Sequence, residues 1–188
     1  MDFNNLKSWE SELNICIRCG YCYENCHIFK VTNWESDSPR GKLILIYGLL
    51  TGAIEPTEEV ALKIFECFYC RQCEDSCSAN VSVTEILTDA REALIDAGFD
   101  VEGTTALVDE DVCSGCGVCV AVCKTEATTL KEEEDGKKKS HIDKAKCEGC
   151  GVCIVACPSG AIKLKEGYKV SQEELLSEIR NLLGVING

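Results

Sequence analysis

The apolar positions of this chain fall into two patterns. The first hundred residues carry apolar runs framed by helix start and stop signals. Ser38-Pro39 supplies an N-cap and a proline at the first helical position, LILIYGLLT continues, and Gly52 ends the run. A second start stands at Thr57, with Glu58 and Glu59 in the first turn, where acidic side chains suit the helix dipole. The segment SVTE at 82–85 reads as a capping box leading into ILTDAREALIDA, which Gly98 stops. The second half is built differently. TTALVDE at 104–110 and AIKLK at 161–165 are short extended segments, and TTLKEEEDGKKKSHID between them reads as a hairpin about Asp135-Gly136. A two-residue turn there sets Glu134 against Lys137, Glu133 against Lys138 and Glu132 against Lys139, opposite charges across the strands. The tail opens with a capping box at Ser171–Glu174 and places Leu175, Leu176, Ile179, Leu182, Leu183 and Ile186 on one helical face. The expected class is α+β, with a mostly helical first half. The longest uncharged apolar run free of cysteine crowding, LILIYGLLTGAI, is too short for a membrane span, so no membrane insertion is expected.

Cysteine changes this picture most. CIRCGYCYENC (16–26), CFYCRQCEDSC (67–77), CSGCGVCVAVC (113–123) and CEGCGVCIVAC (147–157) all have the spacing C-x2-C-x2-C-x3-C. Together they use all 16 cysteines of the 188 residues. Such density means either a disulfide framework or a metal framework, and the compartment decides. The N-terminal MDFNNLKSWESEL has neither a basic nor an apolar stretch of a signal peptide, so a cytoplasmic protein with reduced, metal-ligating thiols is expected. Structural zinc sites favour C-x2-C pairs separated by longer loops. Here three thiols at x2 spacing suit three corners of an iron–sulfur cube, and the fourth, about one helical turn on, points elsewhere. Gly115, Gly117, Gly149 and Gly151 fit a chain that wraps such a cube closely. His27 and His141 read as ordinary polar residues. Trp9, Trp34, Phe65, Phe68 and Tyr69 are expected to shield clusters or fill core.

Residues 104–166 resemble a bacterial two-cluster ferredoxin. That resemblance implies one [4Fe–4S] cluster on Cys113, Cys116, Cys119 and Cys157, and another on Cys147, Cys150, Cys153 and Cys123. Pro158 follows the fourth cysteine as the family often has it, whereas Lys124 follows Cys123. The first half has two motifs, SPRGK at 38–42 between them and a helix after them. It is similar to the helical ferredoxin domain found in an iron–sulfur subunit of heterodisulfide reductases. The same domain occurs in iron–sulfur subunits of glycolate oxidase, anaerobic glycerol-3-phosphate dehydrogenase and succinate dehydrogenase-type enzymes. It implies one cluster on Cys16, Cys19, Cys22 and Cys77, and another on Cys67, Cys70, Cys73 and Cys26. His27 and Ser78 stand where that family usually has proline. The expected organisation is a helical ferredoxin domain at 1–102, a bacterial-type ferredoxin domain at 103–166 and an amphipathic helix at 167–188.

Four fully ligated clusters leave no cysteine free to attack a substrate, and the chain has neither a glycine-rich dinucleotide loop nor a CCG-type repeat. The expected function is therefore an electron-transfer subunit rather than an enzyme by itself. The resemblance implies a heterodisulfide reductase-like complex of an anaerobe, with a flavoprotein and a catalytic disulfide-reductase-like or dehydrogenase subunit as partners. A free polyferredoxin-type carrier, a redox-sensing module and direct disulfide reduction are the alternatives. The net charge of −13 opposes nucleic acid and anionic membranes and favours proteins with basic docking surfaces.

Overall fold

In the computed structural model, residues 3–99, 105–133 and 136–164 are described. The expected tail helix and the Glu134–Lys137 pair lie outside the described residues. A 3-10 turn at Asn4–Trp9 leads into α1 (Glu10–Ile15), followed by α2 (Tyr21–Asn25), α3 (His27–Thr32), α4 (Pro39–Thr51), α5 (Glu58–Phe65), α6 (Gln72–Asp75) and α7 (Val83–Asp96). The second half runs β1 (Ala106–Val108), α8 (Val118–Val122), β2 (Thr128–Glu132), β3 (Lys138–Ile142), α9 (Val152–Ala156) and β4 (Ile162–Leu164). The class is mixed α and β, helices first and small sheets second.

The local signals act where they stand. The Ser38 hydroxyl accepts from Gly41 N–H, Pro39 opens α4, and Gly52 closes it in the left-handed region. The Thr57 hydroxyl caps α5 by accepting from Val60 N–H. Helix α7 ends in a Schellman motif, Gly98 N–H bonding to the Ile95 carbonyl and Phe99 N–H to that of Leu94.

The start of α7 differs from expectation. Ser82 makes no side-chain cap. The Glu74 carboxylate, arriving from the second cysteine motif, accepts from both the Thr84 N–H and the Thr84 hydroxyl. The Ser82 N–H donates instead to Glu12. Two distant carboxylates have taken over the cap.

Helix α7 is the spine of the first half. Its buried Ile86, Leu87, Ala90 and Leu94 pack with Leu43, Ile46 and Leu49 of α4 and with Ala61, Ile64 and Phe65 of α5. Burying such side chains stabilises by about 1.5–3 kcal/mol each, which fixes where the short cysteine-bearing helices sit. In the second half β1 pairs antiparallel with β4, Ala106 opposite Leu164, and β2 with β3, Thr128 opposite Ile142.

The hairpin register is one residue away from the expected one. Glu132 faces Lys138 and Lys131 faces Lys139, while Glu133 N–H bonds to the Lys137 carbonyl. Gly136 follows at positive φ, its N–H bonding to the Glu133 carbonyl. Burial decides the register: Thr128, Ser140 and Ile142 are buried, and a slip by one would turn that face to water. Lys139, freed from Glu132, donates to the backbone carbonyls of Glu110 and Cys113. The aromatic residues also divide. Phe65 is buried and Trp9 and Tyr69 are partly buried; Phe68, though exposed, lines the cavity of Cys67 and Cys70, while Trp34 stands in solvent. No helix among the described residues is long and apolar enough to cross a membrane.

Candidate metal centres

Each cysteine motif is a tight loop followed by a short helix, and the helices pack in pairs, α2 on α6 and α8 on α9. The loops share one backbone course. The residue before and the residue after the second cysteine lie at positive φ in all four: Arg18 and Gly20, Tyr69 and Arg71, Gly115 and Gly117, Gly149 and Gly151. Sequence reasoning tied this course to glycine, yet Arg18, Tyr69 and Arg71 adopt it too. Left-handed non-glycine residues cost roughly 1–2 kcal/mol each and persist where surrounding structure demands them. Gly115 has a further constraint, since a Cβ there would overlap the Lys138 carbonyl oxygen.

The helix pairing decides which thiols meet. One cavity is lined by Cys16, Cys19, Cys22 and Cys77, with Ile17, Pro39, Leu43 and Val81 among its walls. A neighbouring one is lined by Cys26, Cys67, Cys70 and Cys73, with His27, Lys42 and Leu87. Cys73, Pro39 and Val83 border both. In the second half, Cys113, Cys116, Cys119 and Cys157 line a third cavity. For the fourth group, the charges of Cys147, Cys150 and Cys123 all act on Cys153, and Cys123, Cys147 and Cys153 share the apolar cluster beneath. In three cavities, three cysteines of one motif stand with the fourth of its partner, and the charges acting on Cys153 follow the same crossing. All sixteen are free thiols, without a disulfide.

The residues around these groups suit a large, anionic, sulfur-ligated guest. Backbone N–H groups of Phe29, Tyr69, Ala106, Ser140 and Gly149 point at the sulfurs of Cys26, Cys67, Cys147, Cys113 and Cys147 at 3.4–3.5 Å. Hydroxyls add to this: Ser140 lies 3.2 Å from Cys119 Sγ, and Thr125 and Ser159 lie 3.6 and 3.5 Å from Cys123 and Cys157. The Ser159 hydroxyl, helped by backbone donors, lowers the Cys157 thiol below its usual range. Burial pushes the thiols of Cys22, Cys67 and Cys153 up, and that of Cys73 up to about 12. A buried thiol of that kind becomes a ligand only when a metal displaces its proton. Among the described residues, no group of three or more His, Cys, Asp or Glu side chains closes on one point as ligands of a single ion do.

Two buried cations fit as well, and sequence reasoning assigned neither. Lys42, 2 % exposed, lines the cavity of Cys26, Cys67, Cys70 and Cys73 and donates to the Lys63 carbonyl. Arg91, 1 % exposed, donates to the carbonyls of Phe65 and Cys67 at 2.8 and 2.9 Å and to that of Cys147 at 3.4 Å. Among the described residues neither forms an ion pair with a carboxylate. Buried charges are costly, and Asp37 and Glu66 near Lys42 and Glu148 near Arg91 act on them without a direct ion pair. Anionic clusters would add counter-charge. The signal for Arg91 was present in the sequence, since it lies four residues after Leu87 and three before Leu94 on the apolar face of its helix.

The segment SPRGK explains the two cups of the first half together. Gly41 approaches the preceding turn so closely that a Cβ would overlap the Glu35 carbonyl oxygen. With the chain held there, Arg40 lines the cavity of Cys16 and Lys42 that of Cys67. The Arg40 guanidinium stacks on Tyr23, pairs with Glu35 at 2.7 Å and donates to the Arg18 carbonyl.

Comparison with known proteins points to the same kind of cofactor. A family model described as a 4Fe-4S dicluster domain matches residues 12–81, and a second model of that description matches residues 112–161. The chain is 36 % identical over 86 residues, 45 % of its own length, to a probable glycolate oxidase iron-sulfur subunit of Bacillus subtilis (strain 168), of which that covers 19 %. It is 25 % identical over 121 residues, 55 % of its length, to the Hdr-like menaquinol oxidoreductase iron-sulfur subunit 2 of Archaeoglobus fulgidus, covering 22 % of that protein. It is 29 % identical over 137 residues, 65 % of its length, to the methylamine utilization ferredoxin-type protein MauM of Methylophilus methylotrophus, covering 50 % of it. The chain thus spans about a fifth of the first two relatives and half of the third. Two dicluster domains give it four [4Fe–4S] clusters, which sixteen cysteines match.

Proposed function

We propose that this chain is an electron-relay subunit of a multisubunit oxidoreductase. In this reading one cluster is held by Cys16, Cys19, Cys22 and Cys77, and a second by Cys67, Cys70, Cys73 and Cys26. A third is held by Cys113, Cys116, Cys119 and Cys157, and a fourth by Cys147, Cys150, Cys153 and Cys123. The observation that carries it is the lining of three cavities, in each of which three thiols of one motif stand with the fourth of its partner. Bound clusters supply one-electron acceptance and release. The chain's own residues do the rest. Apolar walls such as Ile17, Leu43, Val81 and Leu87 keep water away. N–H groups and hydroxyls hold the sulfurs in place and share their charge. The units proposed are a helical domain at 1–102 and a ferredoxin domain at 103–166.

For the parent assembly, a heterodisulfide reductase-like complex with a flavoprotein and a catalytic partner is the first reading. The Hdr-like relative aligned over 55 % of the chain supports it. A dehydrogenase of the glycolate oxidase kind is the second, favoured by identities of 36 and 34 % to two such subunits. Oxygen-free purification from native cells, with mass spectrometry of co-eluting chains and an iron count, tests both. A flavoprotein and a disulfide-reductase-like subunit in fixed ratio support the first reading, and a 2-hydroxyacid dehydrogenase the second. Elution alone with about 16 iron atoms per chain makes the protein a free carrier and removes its assignment to a complex.

A further inference from the structure

Arg91 is the buried cation that joins the two halves of the molecule; Arg71, Lys124 and Lys146 line the open cleft beside it together with Glu148. The Arg91 guanidinium is held by the Phe65 and Cys67 carbonyls of the helical half and by the Cys147 carbonyl of the ferredoxin half. It stacks between Phe65 and Tyr69, 5.0 and 4.4 Å from the ring centres. The Tyr69 hydroxyl crosses the same boundary, donating to the Ala145 carbonyl at 3.1 Å. Burial depresses the Arg91 pKa, while Tyr69, Cys67, Cys147 and Glu148 act the other way, and a guanidinium stays charged in proteins. The Cys67 and Cys147 loops thus share one fixed positive charge. Among the described residues the outer cups have no buried counterpart, since Arg40 and Lys139 are partly open to water.

We propose that Arg91 is the shared counter-charge of the two clusters that face each other across this junction, those on the Cys67 and Cys147 loops, and that it makes both easier to reduce than the outer cluster of each pair. The inference rests on the ligand sets of the relay reading. Each cluster that takes one electron gains one negative charge, with no bond made or broken. A fixed cation in a low-dielectric setting favours that state at both sites at once. Lys42, which lines only the Cys67 cup, adds to the effect on that side. Arg91 is a positioning residue in this role, and the junction is where an electron rests while passing between the halves.

The test is a redox titration of the full holoprotein with dithionite, followed by electron paramagnetic resonance, with iron counted in every sample. Cys70→Ser and Cys150→Ser variants identify which signals belong to the junction clusters. In Arg91→Gln, both junction signals should move to lower potential by at least a tenfold change in their equilibrium, which is 59 mV for a one-electron couple. The outer signals should stay, and Arg91→Lys should restore the native values even if it melts earlier. An Arg91→Gln protein with full iron and no shift, or with an equal shift of all four, overturns the proposal. If Arg91→Gln cannot hold its iron, the native protein decides: junction clusters reduced first support it, and outer clusters reduced first overturn it. Native protein with far fewer than about 16 irons removes the relay reading and this role together, whereas full iron without a shift removes this role alone.

Discussion

The Glu74 carboxylate oxygen lies 2.7 Å from the Thr84 amide nitrogen and 2.8 Å from its hydroxyl, so the second cysteine motif caps the helix that follows it. The bond ties a metal-binding loop to the spine of the helical half. Loss of either end should be felt at the other.

Glu74→Ala should destabilise the helical half by about 0.5–2 kcal/mol, the range of a lost cap. Ser82→Ala, at the position that the local sequence marks as the cap, should be close to neutral because its side chain makes no capping bond. Thermal melting of both holoproteins checks the contrast, and equal losses would refute the cap assignment.

Asp37 and Lys63 pair at 2.7 Å, with Asp37 buried at the foot of α4. Burial alone would raise the Asp37 carboxyl, but the close ammonium of Lys63 and the charge of Lys42 outweigh it and hold the pKa below the usual carboxylate range. Its contribution is therefore complete above the unfolded value of about 4 and is lost as pH falls through the lower folded value. The Lys63 ammonium is raised chiefly by the same pairing, so its share is complete below about 10.4 and is lost as pH rises through the higher folded value. Asp37→Asn should cost about 1.5–3 kcal/mol near neutrality and flatten the acid limb of stability against pH. Denaturant midpoints measured across that range give the answer.

Gly41→Ala should fail at the turn before α4, because the new methyl overlaps the Glu35 carbonyl. Overpacking of this kind costs about 1–3 kcal/mol. Iron should fall in the helical half, where Arg40 and Lys42 flank two cups, while the ferredoxin half keeps its clusters. Iron counts together with resonance signals separate the halves.

Cys70 is exposed, and its removal disturbs little core. Cys70→Ala should lower iron by about 4 atoms per chain and stop electron passage between the halves. Unchanged iron would sink the ligand set proposed for that cup.

Removing all iron should leave buried thiols protonated, Cys73 above all, and cavities without the guest that balances Lys42 and Arg91. The apoprotein should melt well below the holoprotein and recover on reconstitution under reducing conditions. Circular dichroism against temperature tests it.

Much of the fold was readable in local signals. Ser38, Pro39 and Gly52 bound α4, Thr57 starts α5, and Gly98 ends α7, because capping and left-handed exits are properties of a few adjacent residues. Elements whose partners lie far off in sequence read less well. The cap of α7 came from Glu74 rather than Ser82. The hairpin register shifted by one, because the buried faces of Thr128, Ser140 and Ile142 outweigh the charge pairing written along the strands. Trp34 and Phe68 look like core residues by type and are exposed.

The sequence by itself determined the supply of ligands and the approximate ends of the helices, since cysteine spacing and caps act within a turn or two of chain. Its resemblance to known families suggested how the motifs cross. Only the tertiary structure decided which thiols share a cavity, through the packing of α2 on α6 and α8 on α9. It also decided that Arg91, one cation on an apolar helix face, stands against the loops of two different halves. Such contacts join residues 24 and 56 positions apart, and their energy comes from burial and counter-charge that no local window of sequence contains.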